Sequence, residues 1–262
     1  MRFHRPAAWL LAGLAAFSVA IVIAPGASYS HQDREQPFAA ASPSHPAGTD
    51  ALGRDRLVRV AAALLLSLAG ATAAAALTTA AAAGVGAVAA FASGPVRWLI
   101  MLFCDVFLAL PWLFLLMMVR SALPLTTSPE RSAVITFLVL AVLGWPACAR
   151  AVYRGVLELK NADWMLQARA AGLRRSQILR HLVPNLLPLL LPQFLVSVPA
   201  FVIAEANLGA LGLGIGEPLP SWGGMLLELD NSATLLQTRW VYFPVVLLIL
   251  VLLLVEAIMV EA

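Results

Sequence analysis

Long apolar runs separated by short polar breaks dominate this chain, and the runs have the length of membrane-crossing helices. A spanning helix needs about 20 mostly apolar residues. The first run covers Ala7 to Ala24, after Arg2 and Arg5. A secretory signal peptide also starts basic, but its apolar part is usually about 7–15 residues. The longer run here, without a small-x-small exit, predicts an uncleaved first span. A polar, proline-bearing loop follows from Pro25 to Gly48. Leu57 to Phe91 is apolar and alanine-rich but too long for one crossing. The expected span is Leu64 to Ala90, with Arg54, Arg56 and Arg59 at the membrane interface. Gly94-Pro95 breaks the chain, and Val96 to Val119 predicts a third span. A hinge with Pro124, Ser128 and Pro129 precedes a fourth, Ala133 to Val152. The longest charged segment, Tyr153 to Asn185, separates it from a fifth span, Leu186 to Ala206. A Gly/Pro-rich loop, Asn207 to Arg239, leads to a sixth, Trp240 to Val260.

Composition agrees with this pattern. Hydrophobic residues make up 61% of the 262 residues and charged ones 12%, against about 45–50% and about 25% in soluble domains. Mean hydropathy is +0.87. A water-soluble fold could not hide that much apolar surface, so an all-α integral membrane protein of about six transmembrane helices is expected. The net charge of +3 is too small to suggest nucleic acid. The placement of the basic residues says more. With a cytoplasmic amino terminus, ten of the Lys and Arg residues fall on the inner side and seven on the outer, a bias in the sense of the positive-inside rule. Most of it comes from residues 150–180, and it places both termini in the cytoplasm.

The sequence contains no recognisable catalytic constellation. No Gly-rich phosphate loop ending in Lys-Ser/Thr is present, so no nucleotide site is expected on this chain. His4, His31, His45 and His181 are scattered, and Ser132 and Ser197 have no histidine or aspartate at a useful spacing. Cys104 and Cys148 sit in apolar runs and read as small buried hydrophobes rather than metal or redox groups.

The polar segment carries more information. Asn161 to Ala171 is helix-compatible with Asn161 as N-cap, and Gly172 suits a left-handed C-cap. Ser176 to Val183 forms a second amphipathic stretch ending at Pro184. A short helix, a glycine turn and a second helix would lie along the membrane face. Ala168, Ala170 and Ala171 keep one side narrow enough to enter a partner's groove. On these residues alone, a solvated connector between two spans fits equally well.

The run QARAAGLRRSQILRHLVPN resembles the EAA signature of binding-protein-dependent ABC transporter permeases. Gly172, Ile178, His181 and Pro184 occupy the signature's glycine, aliphatic, histidine and proline places. Leu166, Gln167 and Ala168 align with its leading Glu-Ala-Ala, so the glutamate is absent here. Three further stretches are similar to the dipeptide, oligopeptide and nickel permeases. HPAGTDALGRDRLVR (45–59) resembles the part after their first span, LFCDVFLALP (102–111) their third span, and AEANLGALGLGIGEPLPSWGGML (204–226) their last loop. The similarity covers residues 45–230 and is greatest to the DppC or OppC type. That family's usual acidic, arginine-containing tail has no counterpart after Glu256 and Glu261.

The resemblance implies a type I ABC importer permease fold in a bacterial inner membrane. Residues 1–56 would form an N-terminal helix and periplasmic loop, and residues 57–262 the permease domain. The segment 153–185 would couple to the ATPase through Ala168, Gly172, Ile178, His181 and Pro184. The implied partners are a homologous second permease, two ATP-binding subunits and a periplasmic or lipid-anchored binding protein. No cofactor is bound directly, because ATP is used by the partner subunits. Peptides are the implied substrate, with nickel or another small solute as the alternative. An ATP-independent channel and an intramembrane enzyme are the rival classes. Two ionisable residues in the apolar runs, Asp105 and Glu205, are expected either to line the pathway or to tie spans together. A mid-bilayer charge costs about 2.5–3.5 kcal/mol on insertion scales. The alternative is that both sit nearer the interfaces.

Overall fold

The computed structural model describes residues 6–122, 127–173, 175–230 and 239–261, and helices carry most of them. Helix α1 spans Pro6–Val22, α2 Arg56–Phe91, α3 Gly94–Ala109, α4 Trp112–Ser121 and α5 Pro129–Lys160. They are followed by α6 Asp163–Ala170, α7 Arg175–Ala210, α8 Trp222–Leu227 and α9 Phe243–Glu261, with short 3-10 turns at Glu228–Asp230 and Arg239–Tyr242. Four helices are long and apolar enough to cross a membrane, and the bent pair α3–α4 makes a fifth candidate. At 17 residues α1 is shorter, though still within the lower limit of about 17 for a span. The count of about six therefore holds as an approximation.

Three boundaries differ from the pattern reading, each for a local reason. The third span is not one rod, because α3 and α4 meet at an angle of 86°. Pro111 has no N–H to continue α3, and it pushes Leu110 into extended backbone, with φ −82° and ψ 135°. The apolar character of 96–119 conceals this break. The fourth span runs on to Lys160, taking in the residues from Tyr153 that were expected to open the polar segment. Asn161 consequently caps the carboxyl end of α5, its N–H donating to Glu158 O and Leu159 O, and is not the N-cap of α6. The expected stop at Pro184 is also absent. Helix α7 continues through Pro184, Pro188, Pro192 and Pro199 as one 36-residue element. The first three prolines recur every fourth residue on an exposed face. Lost backbone bonds of this kind are tolerated in membrane helices where neighbours support the rest of the turn. Leu182 and Leu186 on α7 supply that support by packing against Val152 and Val156 of α5.

The core lies between α2, α5, α7 and α9, with Leu116 of α4 and α8 joined to it. Without a hydrophobic drive between helices in lipid, close approach depends on small residues. Ala63, Ala71, Ala74, Ala75 and Ala82 of α2 are fully buried, and Thr78 of α2 donates to the Ala141 carbonyl of α5 at 3.0 Å. Helix α8 turns back into the bundle, burying Trp222 and Met225. The Ser221 hydroxyl accepts from the Gly224 N–H at 3.1 Å and so starts it. Gly209 of α7 and Gly223 of α8 meet backbone to backbone, where a Cβ on either would overlap the other's main chain.

Cross-bundle contacts define two ends. Ion pairs join the start of α2 to the loop after α7 and to the turn after α8. At the other end, the Lys160 ammonium of α5 donates to the Ala90 carbonyl of α2 at 3.1 Å and sits over the Phe91 ring. The short α6 belongs to that second end.

Candidate functional site

At the α6 end, eight residues form a helix and a glycine reverses the chain. Asp163 in the first turn favours the helix amino terminus electrostatically. Gly172 has φ +73°, a conformation glycine adopts freely. The Leu173 N–H reaches back to the Ala168 carbonyl at 3.1 Å, as in a Schellman termination. The sequence expectation of a left-handed glycine turn is met at that residue. Met165, fully buried with Val152, Val156, Leu182 and Leu186, pins α6 between α5 and α7. Leu166, Gln167, Ala170, Ala171 and Gly172 are left exposed along one strip. Ala168 is half-buried and belongs to the same turn. Pro184 is exposed on α7, three turns into that helix. Ile178 and His181 lie on the α7 backbone between Gly172 and Pro184, and their side chains are outside what is described. The space around Gly172 is open. A Cβ there meets nothing within 4 Å, so a larger residue would strain the backbone without wedging α6 from α7.

The two ionisable residues in the spans behave differently. Asp105 of α3 pairs with Arg150 of α5, and both side chains are partly open, at 45% and 35% exposure. Glu205 of α7 is wholly buried and accepts from Ser67 of α2 at 2.9 Å. Ser221 and the Gly223 N–H also approach its carboxyl, though Oε1 has no well-formed hydrogen bond. Glu205 thus stands where α2, α7 and α8 meet, as an interhelix anchor. Of the two readings open for it, pathway lining does not fit a side chain with no exposed surface in this chain.

The opposite end holds a cluster that sequence reasoning did not find. Asp50 is buried and accepts from the Arg54 Nε at 2.6 Å and from the Leu52 and Arg54 N–H groups at 2.9 Å. Arg54 and Arg59 both reach Glu217, at 2.6 and 3.0 Å, across more than 150 residues of sequence. Arg56 donates to Glu228 at 2.9 Å and to the Thr49 carbonyl at 3.3 Å. These three arginines are all buried in the cluster. Burial lowers the affinity of the Arg54 guanidinium for its proton, but hydrogen bonds to Glu217 and Asp50 outweigh it and leave the pKa raised. Burial pushes the Glu228 carboxyl up, against the pull of Arg56. Nearby, Arg120 of α4 donates to the Leu213 and Gly214 carbonyls at 2.8 and 2.7 Å and to Ser132. Together these bonds hold the loop after α7 onto the end of the bundle. The sequence signal was present in the alternation Asp50, Arg54, Asp55, Arg56, Arg59 within one resembling stretch and Glu217 within another. Glu217→Ala should therefore lower the stability of the subunit by about 1–2 kcal/mol, discounted because Glu217 is itself half open. Thermal aggregation of the detergent-purified protein would read this, and an unchanged midpoint would show the loop is held by Arg120 and backbone contacts alone.

Among the described residues, no group of three or more His, Cys, Asp or Glu side chains is placed to hold a metal ion.

Comparison with known proteins agrees with this geometry. The chain is 31% identical over 250 residues to the oligopeptide transport system permease protein OppC of Haemophilus influenzae, covering 91% of this chain and 76% of that protein. It is 30% identical over 235 residues to OppC of Escherichia coli, covering 87% and 76%. The dipeptide transport system permease protein DppC of Bacillus subtilis is 31% identical over 206 residues, covering 78% of this chain and 62% of that protein. Residues 82–262 match the family of binding-protein-dependent transport system inner membrane components. With apolar helices bundled around a common core and a family match over most of its length, the chain belongs to the binding-protein-dependent transport inner membrane components, as a multi-pass membrane permease.

Proposed function

We propose that this chain forms part of the translocation pathway of an ATP-driven importer of di- or oligopeptides. The observation that carries this reading is the similarity to peptide permeases over 91% of the chain. A homologous second permease completes the pathway, two ATP-binding subunits hydrolyse ATP beneath it, and a binding protein delivers substrate on the far side. The α6 strip with Gly172 is the coupling element, supported by its exposed position, its rigid turn and the motif that Ala168, Gly172, Ile178, His181 and Pro184 compose. A short helix pinned by Met165 can carry a partner's movement into α5 and α7 as a rigid body. Loss of peptide uptake in a strain lacking this gene, restored by the gene in trans, is the expected result. Unimpaired uptake of labelled di- and oligopeptides would refute the substrate assignment.

The orientation follows from the charge distribution, with the α6 end and both termini cytoplasmic and the ion-pair cluster on the periplasmic side. Leu211 and Gln177 are exposed at opposite ends, while the native Cys104 and Cys148 are buried. A cysteine at Leu211 should react with a membrane-impermeant maleimide in intact cells, whereas one at Gln177 should react only after lysis. The reverse pattern would invert the topology.

A further inference from the structure

The ion pairs of the described residues divide unevenly. Six involve residues of the 45–59 stretch at one end of the bundle, and only Asp105–Arg150 joins two spans. Asp105 lies 11 residues beyond Gly94 in α3, and Arg150 lies 10 residues before Lys160 in α5. At 1.5 Å per residue, each is about 15 Å in from the α6 end. The Lys160–Ala90 bond holds those helix ends level, so the two depths refer to one plane. On the same two helices, Trp98, Leu102 and Val106 of α3 and Val142 of α5 present bare apolar surface. Charges at that depth that keep 45% and 35% of their surface open are poorly placed against lipid tails and need water or polar groups beside them. A hydrophilic solute needs the same surroundings to cross.

We propose that the Asp105–Arg150 pair lines the solute pathway and screens permeating solutes by charge, passing those that carry both ammonium and carboxylate groups. This rests on the peptide-importer reading above. A neutral pair offers an acceptor to the cationic end of a solute and donors to its anionic end. It creates no net well for either sign, and transit requires contact strong enough to admit a solute and weak enough to release it. Removing one member unmasks the other. Asp105→Asn leaves the Arg150 cation uncompensated and should repel or trap according to the solute's charge. Arg150→Gln leaves the Asp105 anion and should act in the opposite sense.

The test is uptake of two labelled dipeptides, alanyl-lysine and alanyl-glutamate, by cells carrying each variant at the native locus with the whole transporter present. Asp105→Asn should change the lysine-to-glutamate uptake ratio by about tenfold in one direction and Arg150→Gln by about tenfold in the other. The exchanged double variant, Asp105→Arg with Arg150→Asp, should return the ratio to near the wild-type value. Membrane abundance by immunoblot accompanies each measurement. Where one single variant fails to accumulate, the other decides by whether its ratio shifts, because the double variant is expected to give the wild-type ratio whether or not the pair meets the solute. If both single variants depress the two peptides equally, or leave the ratio unchanged, the pair is an interhelix tie or lies beneath a partner subunit, and the proposal is overturned. If deletion of the gene leaves uptake of both peptides intact, the peptide reading fails first and the charge filter falls with it.

Discussion

Asp50→Ala should cost the folded subunit about 3–5 kcal/mol, the range seen when one partner of a buried ion pair is removed. The Asp50 carboxylate is 2% exposed and takes three hydrogen-bond donors. Oδ1 accepts the Leu52 and Arg54 N–H groups, and Oδ2 accepts the Arg54 Nε, with the Arg59 Nε at 3.5 Å. Alanine would strand two guanidinium groups that are 7% and 2% exposed, leaving Glu217 as their remaining charged partner. The same carboxylate closes the tight turn of residues 50–54, so the loss also frees the chain that leads into the Asp55 cap of α2. Asp50→Asn keeps an acceptor for the two backbone donors but loses the charge, and should fall between alanine and wild type. The expected result is a steep fall in membrane abundance and in the thermal midpoint of the purified protein for alanine. Glu35→Ala, at an exposed position of the same loop, should change neither. Wild-type abundance and midpoint for Asp50→Ala would mean that the cluster is ornamental to folding and that Arg120 secures the loop.

How much of this was readable beforehand depends on the range of the interaction. The apolar runs mark the spans because lipid imposes its length on any helix within it, and each expected run proved mostly helical, the third as two helices. The left-handed turn at Gly172 was readable because it is set by a single residue's backbone freedom. Local rules misled where packing or context overrode them. Pro184 ought to end a helix, yet α7 passes through it because Leu182 and Leu186 are held against α5. Pro111 did break its span, but in an unbroken apolar stretch the break could not be told from a tolerated proline. The ion-pair cluster was out of reach for another reason. Arg54 and Glu217 are 163 residues apart, and nothing in either stretch alone says that the two will meet. Glu205 was legible as unusual, being charged within a span, but its role required knowing that Ser67 would stand opposite.

Gly172→Val should leave the subunit inserted and abundant while reducing coupled uptake at least about tenfold. At φ +73°, a β-branched side chain is a steric outlier, costing about 1–2 kcal/mol in that conformation. The chain can relieve this locally by moving φ negative, which breaks the Leu173 to Ala168 termination and swings α6 relative to α7. No neighbour resists the new side chain, since the space around Gly172 is open, so the bundle core is untouched and abundance should hold. On the coupling role proposed above, what changes is the angle at which the exposed strip would meet an ATP-binding subunit. Co-purification of that subunit with weakened peptide stimulation of ATP hydrolysis is the signature expected of a displaced coupling helix. Gly172→Asn, which tolerates the left-handed region better than valine, should recover most of the uptake. Leu166→Glu supplies the glutamate with which the resembled EAA signature begins. Leu166 is 52% exposed, so the added charge meets water and should be tolerated, with equal or tighter retention of the ATP-binding subunit. Normal uptake by Gly172→Val at normal abundance would reduce residues 153–185 to a connector and end the coupling assignment.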